Sequence, residues 1–185
     1  MNRMTDLRQV LTDRLELVAT AVTDTDELFP MFADPRGWWY APDARHRDVE
    51  TTRGFAERAA ARWPTDGLSY WTVRRRSDHA LVGLGGAQRH RTGTWNLSYR
   101  IATSEQGKGY AIELSRAAID AAHAVDPEVP VIAWIAPHNL PSLRVAERLG
   151  LTQYGEHVDL NDGETRLVYA DRMPDFDALR LELPL

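Results

Sequence analysis

Trp95-Asn96-Leu97-Ser98-Tyr99-Arg100-Ile101 reads as an apolar strand, and it leads into Gln106-Gly107-Lys108-Gly109-Tyr110-Ala111. An alanine-rich helix follows to about Val125, then the apolar run Val131-Ile132-Ala133-Trp134-Ile135. A second helix opens at Asn139-Leu140-Pro141-Ser142 and ends at Gly150. Strand, glycine loop and helix in this order build an anion site. The N–H groups of the loop and of the first helical turn have no intrahelical partners, and the helix dipole adds partial positive charge there. Gly107 and Gly109 let that backbone approach a phosphate with no Cβ in the way. A P-loop is excluded, because Lys108 is followed by Gly109 and the position five before Gly107 is Ala102. A dinucleotide fingerprint needs three spaced glycines and a later ribose acid, and neither is clear.

Working outward, 185 residues suffice for one well-buried core, and nothing calls for a second domain. A net charge of -5 argues against a nucleic-acid surface, which needs a basic face. The absence of cysteine excludes disulfides, thiolate zinc sites and acyl transfer through a cysteine. No apolar run approaches a membrane span and no signal-peptide core is present, so a cytoplasmic protein with no membrane partner is expected. No His-x-x-x-His spacing or acidic cluster points to a metal, and none is expected. Lys108 is the only lysine among basic residues that are otherwise arginine. It either faces a pyrophosphate or is a solvated loop tip.

Residues 1–12 read as a polar, frayed lead-in. Arg14 to Ala19 alternates around Leu15 and Leu17 as a strand, and Thr23 to Asp26 caps a helix through Leu28, Met31 and Phe32. Asp34-Pro35-Arg36-Gly37 breaks that helix, and Trp38-Trp39-Tyr40 then sets three aromatics in a loop. Such a cluster either marks a binding surface or pins the loop to the core. Asp48 to Trp63 is helical and Pro64 ends it. Ser69 to Arg76 and Ala80 to Arg89 are consecutive strands. The glycines at 83, 85 and 86 bend the second or allow close packing. Leu151 to Leu160 and Glu164 to Asp171 form a hairpin across Asn161-Asp162-Gly163, and the tail at 179–183 alternates like one more strand. Antiparallel strands followed by helix, strand, helix give an α+β pattern with one parallel crossover.

The loop fits Gln/Arg-x-x-Gly-x-Gly/Ala through Gln106, Gly109 and Ala111, and in this it resembles the acyl-CoA loop of the GNAT N-acetyltransferases. Asn139-x-x-Ser142 followed by Glu147-Arg148-Leu149-Gly150 resembles the second signature of the RimJ/RimL-like branch. Thr12-Asp13-Arg14-Leu15-Glu16-Leu17 is similar to that branch's opening strand. The resemblance implies one GNAT domain over residues 1–185, with a core of about 12–172 and a tail at 173–185 that pairs within the subunit or across a dimer. The expected sheet is mostly antiparallel and flanked by helices. Its fourth and fifth strands, at 95–101 and 131–136, splay apart.

The implied chemistry is direct acetyl transfer from acetyl-CoA to a primary amine, either a protein N-terminus or a small molecule, by a monomer or homodimer. The alternative is a non-catalytic acyl-CoA-binding module. By resemblance, the backbones of Tyr99, Arg100 and Ile101 bond to pantetheine, and the Ile101 amide is the oxyanion donor. Gln106, Gly107, Lys108, Gly109, Tyr110, Ala111 and Ile112 surround the pyrophosphate, and Asn139 reaches the pantetheine arm. Relatives often carry an acid tyrosine seven residues after the asparagine. Here that position is Ala146, and Ser142 is the replacement, unless it merely caps its helix. Trp38, Trp39 and Tyr40 form the candidate acceptor wall. Glu113 matches a family glutamate and reads as structural, while His90, Glu105, His138, Glu156 and His157 are the candidate bases.

Overall fold

A computed structural model of the chain describes residues 6–159, 163–175, 177 and 179. The strands β1 (Gln9–Leu11), β2 (Leu15–Ala19), β3 (Tyr70–Arg75), β4 (Leu81–Arg89), β5 (Trp95–Ile101), β6 (Val131–Ile135), β7 (Thr152–Val158) and β8 (Thr165–Ala170) form one sheet. Their order across it is β1-β2-β3-β4-β5-β6-β8-β7. The helices are α1 (Thr25–Ala33), α2 (Val49–Asp66), α3 (Tyr110–Val125) and α4 (Leu140–Arg148). This is the expected α+β GNAT fold, a mostly antiparallel sheet flanked by helices.

Every neighbouring pair is antiparallel except β5 and β6, which α3 connects by the crossover that parallel strands require. That pair shares only two register positions, Trp95 with Val131 and Asn96 with Ile132. Beyond Asn96 the strands part, as expected for the fourth and fifth strands of the fold. Successive β3 residues point to opposite faces. Trp71 and Val73 join Tyr110, Leu114, Ala118 and Ala121 of α3 in the larger core. Tyr70 joins Leu28, Met31 and Phe32 of α1 and Ala59 of α2 in a second cluster. Gly83 and Gly85 serve close packing: a Cβ would stand 2.2 Å from the Arg100 carbonyl oxygen at Gly83 and 2.7 Å from that of Ser98 at Gly85.

Two details depart from the sequence reading, and the expected tail strand lies mostly outside the described residues. The lead-in contains β1, an edge strand that hairpins onto β2, and the Trp71 indole N–H donates to the Leu7 carbonyl at 2.7 Å. Its three residues are too few and too exposed to show a period. Helix α2 continues through Pro64 to Asp66. The helix stops at Gly67 (φ 75°), whose N–H bonds the Trp63 carbonyl. Of the expected tail strand, all but Leu179 lies outside the described residues, as do residues 160–162 of the hairpin turn. Leu179 donates to the Asp175 carbonyl in a helical turn and packs on Ile132, Val168 and Ala170.

Candidate active site

The site begins at the open seam. Hydrogen bonds alternate sides along a strand, and two of them set the phase of β5. Ala102 donates to the Val82 carbonyl and His90 to the Thr94 carbonyl, so even-numbered β5 residues bond to β4. Odd-numbered residues face β6, as Trp95 shows by donating to the Pro130 carbonyl at 2.8 Å. Past the two paired positions, the amides of Tyr99 and Ile101 therefore point into the gap, while the Ile101 carbonyl accepts from Gln106 Nε2 at 3.1 Å. Arg100 is a correction: its backbone pairs with Leu84, and only its side chain is left for the site.

At the end of β5, Gly107 (φ 78°) and Gly109 (φ 82°) adopt left-handed conformations, and Gly109 is the N-cap residue of α3. Only glycine adopts that geometry freely, which places backbone amides around the head of the helix. A cleft of about 470 Å³ runs from this loop along β5. Gln106, Gly107, Gly109, Tyr110, Ala111 and Ile112 line it from one side, with Asn139 and Ser142 of the α4 entry opposite. A long phosphorylated ligand of the acyl-CoA kind fits this combination of free strand edge, glycine loop and helix terminus. Lys108 is not among the residues lining the cleft. Its Nζ pairs with Glu105 at 3.0 Å, and its carbonyl accepts from Arg14 at 2.9 Å. Sequence reasoning missed Arg144 and Arg148, which line the cleft from α4. Their spacing of four, which puts both on one helical face, is the signal that could have found them.

Glu113 is structural, as its place in α3 suggested. It accepts from the Thr12 hydroxyl (2.6 Å), the Arg14 amide (2.8 Å) and Arg14 Nε (2.7 Å), so it clamps the start of β2 to the head of α3. Burial raises its pKa, but these hydrogen bonds outweigh burial and hold it below the ordinary carboxylate range.

A second cavity of about 130 Å³ lies between the parted strands, lined by Ser98, Ala133, Trp134 and Ile135 among others. Tyr40, Tyr99, Asn139 and Ser142 line both cavities, so they mark where the two meet. Asn139 is the α4 cap, its Oδ1 accepting from the Ser142 amide at 3.3 Å. The capping role is thus filled by Asn139, and Ser142 lines the two cavities together with Tyr99. Burial pushes the Tyr99 phenol up to about 12.

The three aromatics do not act as one wall. Trp38 is buried in the α1 cluster, donates from its indole to the Phe32 carbonyl at 2.5 Å and stacks under Arg100 at 3.3 Å. A ring with neighbours on every side cannot also face an acceptor. Trp39 is 53% exposed and lines the cleft. Tyr40 is tied into place: its hydroxyl accepts from Arg100 at 2.9 Å, and its carbonyl accepts from His138 Nε2 at 3.0 Å. Arg100 also donates to the Gly37 carbonyl (2.8 Å), and Thr103 donates to Asp34 (2.7 Å). Arg36 and Thr103 hold the Asp34 carboxyl well below the usual range. The loop is therefore anchored to the end of β5 and to the entry of α4.

Of the five candidate bases, only Glu105 lines either cavity, and it is paired with Lys108 and with Arg75 (3.5 Å). His90 and His157 pack against Trp134, at 6.2 and 4.9 Å between ring centres. Glu156 is exposed on β7. Among the described residues no group of three or more His, Cys, Asp or Glu could hold a metal ion, and no helix is long and apolar enough to cross a membrane.

Residues 14–152 match the model of the acetyltransferase (GNAT) domain family. The uncharacterised protein YkkB of Bacillus subtilis (strain 168) is 28% identical over 155 residues, 82% of this chain and 87% of that protein. An acetyltransferase from Agrobacterium tumefaciens str. C58 shares the fold with a TM-score of 0.73 at 24% identity, covering 89% of this chain and 94% of that one. RimL, the ribosomal L7/L12 alpha-N-protein acetyltransferase, solved with coenzyme A, superposes with a TM-score of 0.72 at 17% identity, covering 90% and 97%. The match spans the loop, the seam and the α4 entry alike: the chain belongs to the GNAT acetyltransferase family.

Proposed function

We propose that the chain is an acetyl-CoA-dependent N-acetyltransferase that moves the acetyl group directly to a primary amine, in the cytoplasm. A protein N-terminal amine is the first acceptor class and a small amine the second. One observation carries this reading. The cleft along the free edge of β5 and the cavity between the parted strands share Tyr40, Tyr99, Asn139 and Ser142 in their linings. A thioester lying in the cleft and an amine held in the adjoining cavity meet there, and holding them together removes much of the entropic cost of reaction.

The Ile101 amide, directed into the gap, is a fixed donor for charge that develops on the thioester oxygen. Loop amides at Gly107 to Ile112 and the arginines at 144 and 148 would hold the phosphates. Ser142 is suited to protonate the departing sulfur, since its amide is already capped and its hydroxyl borders both cavities. Turnover of acetyl-CoA with a panel of peptides and small amines tests the reading. Ser142→Ala should lower kcat by roughly 10²-fold with little change in acetyl-CoA affinity. Tight acetyl-CoA binding without turnover of any amine would leave a non-catalytic acyl-CoA-binding module.

A further inference from the structure

We infer that Arg100 is a positioning residue for the acceptor: it holds the Tyr40 phenol by its oxygen, so that an incoming amine meets a phenol O–H donor where the two cavities adjoin. The inference rests on the acetyl-transfer reading above and deepens it, because such a donor selects amines that carry a carbonyl oxygen beside the nitrogen.

The backbone of Arg100 pairs with Leu84 of β4, which leaves its side chain for the site. That side chain is fixed on three sides. Nη1 donates to the Gly37 carbonyl at 2.8 Å, and Nη2 donates to the Tyr40 hydroxyl oxygen at 2.9 Å. The guanidinium carbon stands 3.3 Å from the centre of the Trp38 ring, where cation–π attraction holds it. One planar fork thus grips the loop at Gly37 and at Tyr40 from a single strand position. Tyr40 is held from the other side as well. Its carbonyl accepts from His138 Nε2 at 3.0 Å, and its ring meets Trp39 edge-on at 5.8 Å between centres.

The direction of the Arg100–Tyr40 bond decides what the acceptor meets. A guanidinium has donors only, so the phenol oxygen must accept and its own hydrogen points elsewhere. Among the described residues that hydrogen has no acceptor, and Tyr40 lines both the cleft and the adjoining cavity. A hydroxyl whose oxygen is drawn on by a cation is also a stronger donor. An amine settling against Tyr40 strips water from this O–H. A carbonyl beside the amine replaces that water, whereas an alkylamine leaves the donor unpaired and is disfavoured. The amine nitrogen itself stays out of the bond and keeps its lone pair for the thioester.

The test measures kcat/KM for glycinamide and for isobutylamine, at saturating acetyl-CoA. Isobutylamine has the same heavy-atom skeleton, with methyl groups in place of the amide oxygen and nitrogen. The ratio of the two rates is compared among wild type, Tyr40→Phe, Arg100→Met and the double variant, so that the basicity of each amine and the amount of folded protein cancel. Tyr40→Phe removes one hydroxyl and should lower the ratio by about tenfold, the scale of one hydrogen bond. Arg100→Met should lower it as far, although the phenol is still present. The double variant should lie within about twofold of either single variant, because both changes remove one donor. Arg100→Lys keeps the charge and loses the fork, so it should lower the ratio too, and it stands in if Arg100→Met does not fold. A merely structural arginine would slow both amines alike and leave the ratio where it was. With a glycine-initiated hexapeptide in place of glycinamide, the same fall supports the inference for a protein N-terminus; a fall with glycinamide alone supports it for a small molecule. A ratio unchanged in Tyr40→Phe or in the arginine variant, or effects that multiply in the double variant, would overturn the inference and leave acetyl transfer standing. A wild type that binds acetyl-CoA but turns over no amine would overturn both.

Discussion

Replacing Trp38 and its neighbour Trp39 separately should divide packing from recognition. A buried tryptophan removes about 150–250 Å² from water. At about 25 cal/mol per Å² this is worth about 4–6 kcal/mol against an extended chain. Compactness of the unfolded chain lowers it by roughly a quarter. Trp38 is 7% exposed, so Trp38→Ala should cost about 3–5 kcal/mol. The same change also removes the indole bond to Phe32 and the stacking with Arg100, which the area figure does not count. Urea unfolding reads it directly. With a slope of about 2 kcal/mol per molar, the midpoint should fall by about 1.5–2.5 M. Trp39→Ala, at a half-exposed position, should change stability by no more than about 0.5 kcal/mol. Its effect should appear instead as a raised KM for the acceptor, with acetyl-CoA affinity kept. The reasoning fails if Trp38→Ala costs less than about 1 kcal/mol, or if Trp39→Ala destabilises as much.

Three further outcomes follow from the geometry. Gly109→Glu should abolish acetyl-CoA binding by calorimetry, because a side chain at φ 82° is strained and its carboxylate repels phosphate. Glu113→Ala should destabilise the fold by about 2 kcal/mol in denaturant, since three donors of Thr12 and Arg14 lose their acceptor. His46 is buried against Phe32 at 4.3 Å between ring centres and bonded to Thr52, and burial, with the nearby positive charge of Arg100 and Arg58, holds its pKa below the usual value. The unfolded chain then binds the proton more readily than the folded one. Stability should fall as pH drops through the unfolded value of about 6.5, and the loss is complete below the lowered folded value. His46→Gln should flatten the dependence of the melting temperature on pH between about 7 and 5.

The strongly periodic parts of the chain were legible from residues alone. Leu15 and Leu17, the α3 face through Tyr110, Leu114 and Ala118, and the glycines at 107 and 109 all stand where their pattern puts them. What periodicity could not supply was contact across the chain. Trp38 and Trp39 are chemically identical neighbours, and only the fold decides that one enters a core and the other faces a cleft. The phase of β5 set Arg100 apart from Tyr99 and Ile101, and no local signal carries that phase. Ser142 in a helix's first turn also read as a cap, and only the fold shows that Asn139 takes the capping bond.

The two-position seam between β5 and β6 also bears on how long the molecule survives. Strands β6, β8 and β7 are joined to the rest of the sheet by the shortest ladder in it, so local opening should begin there. A pantetheine arm bonded along β5 would act as a splint across the break. At a hundredfold excess over its dissociation constant, such a ligand adds about 2.7 kcal/mol to the closed form. Proteolysis and amide exchange in the C-terminal half would then report how well supplied the chain is with its acyl donor, and starvation for that donor would shorten the protein's lifetime before any side chain is altered.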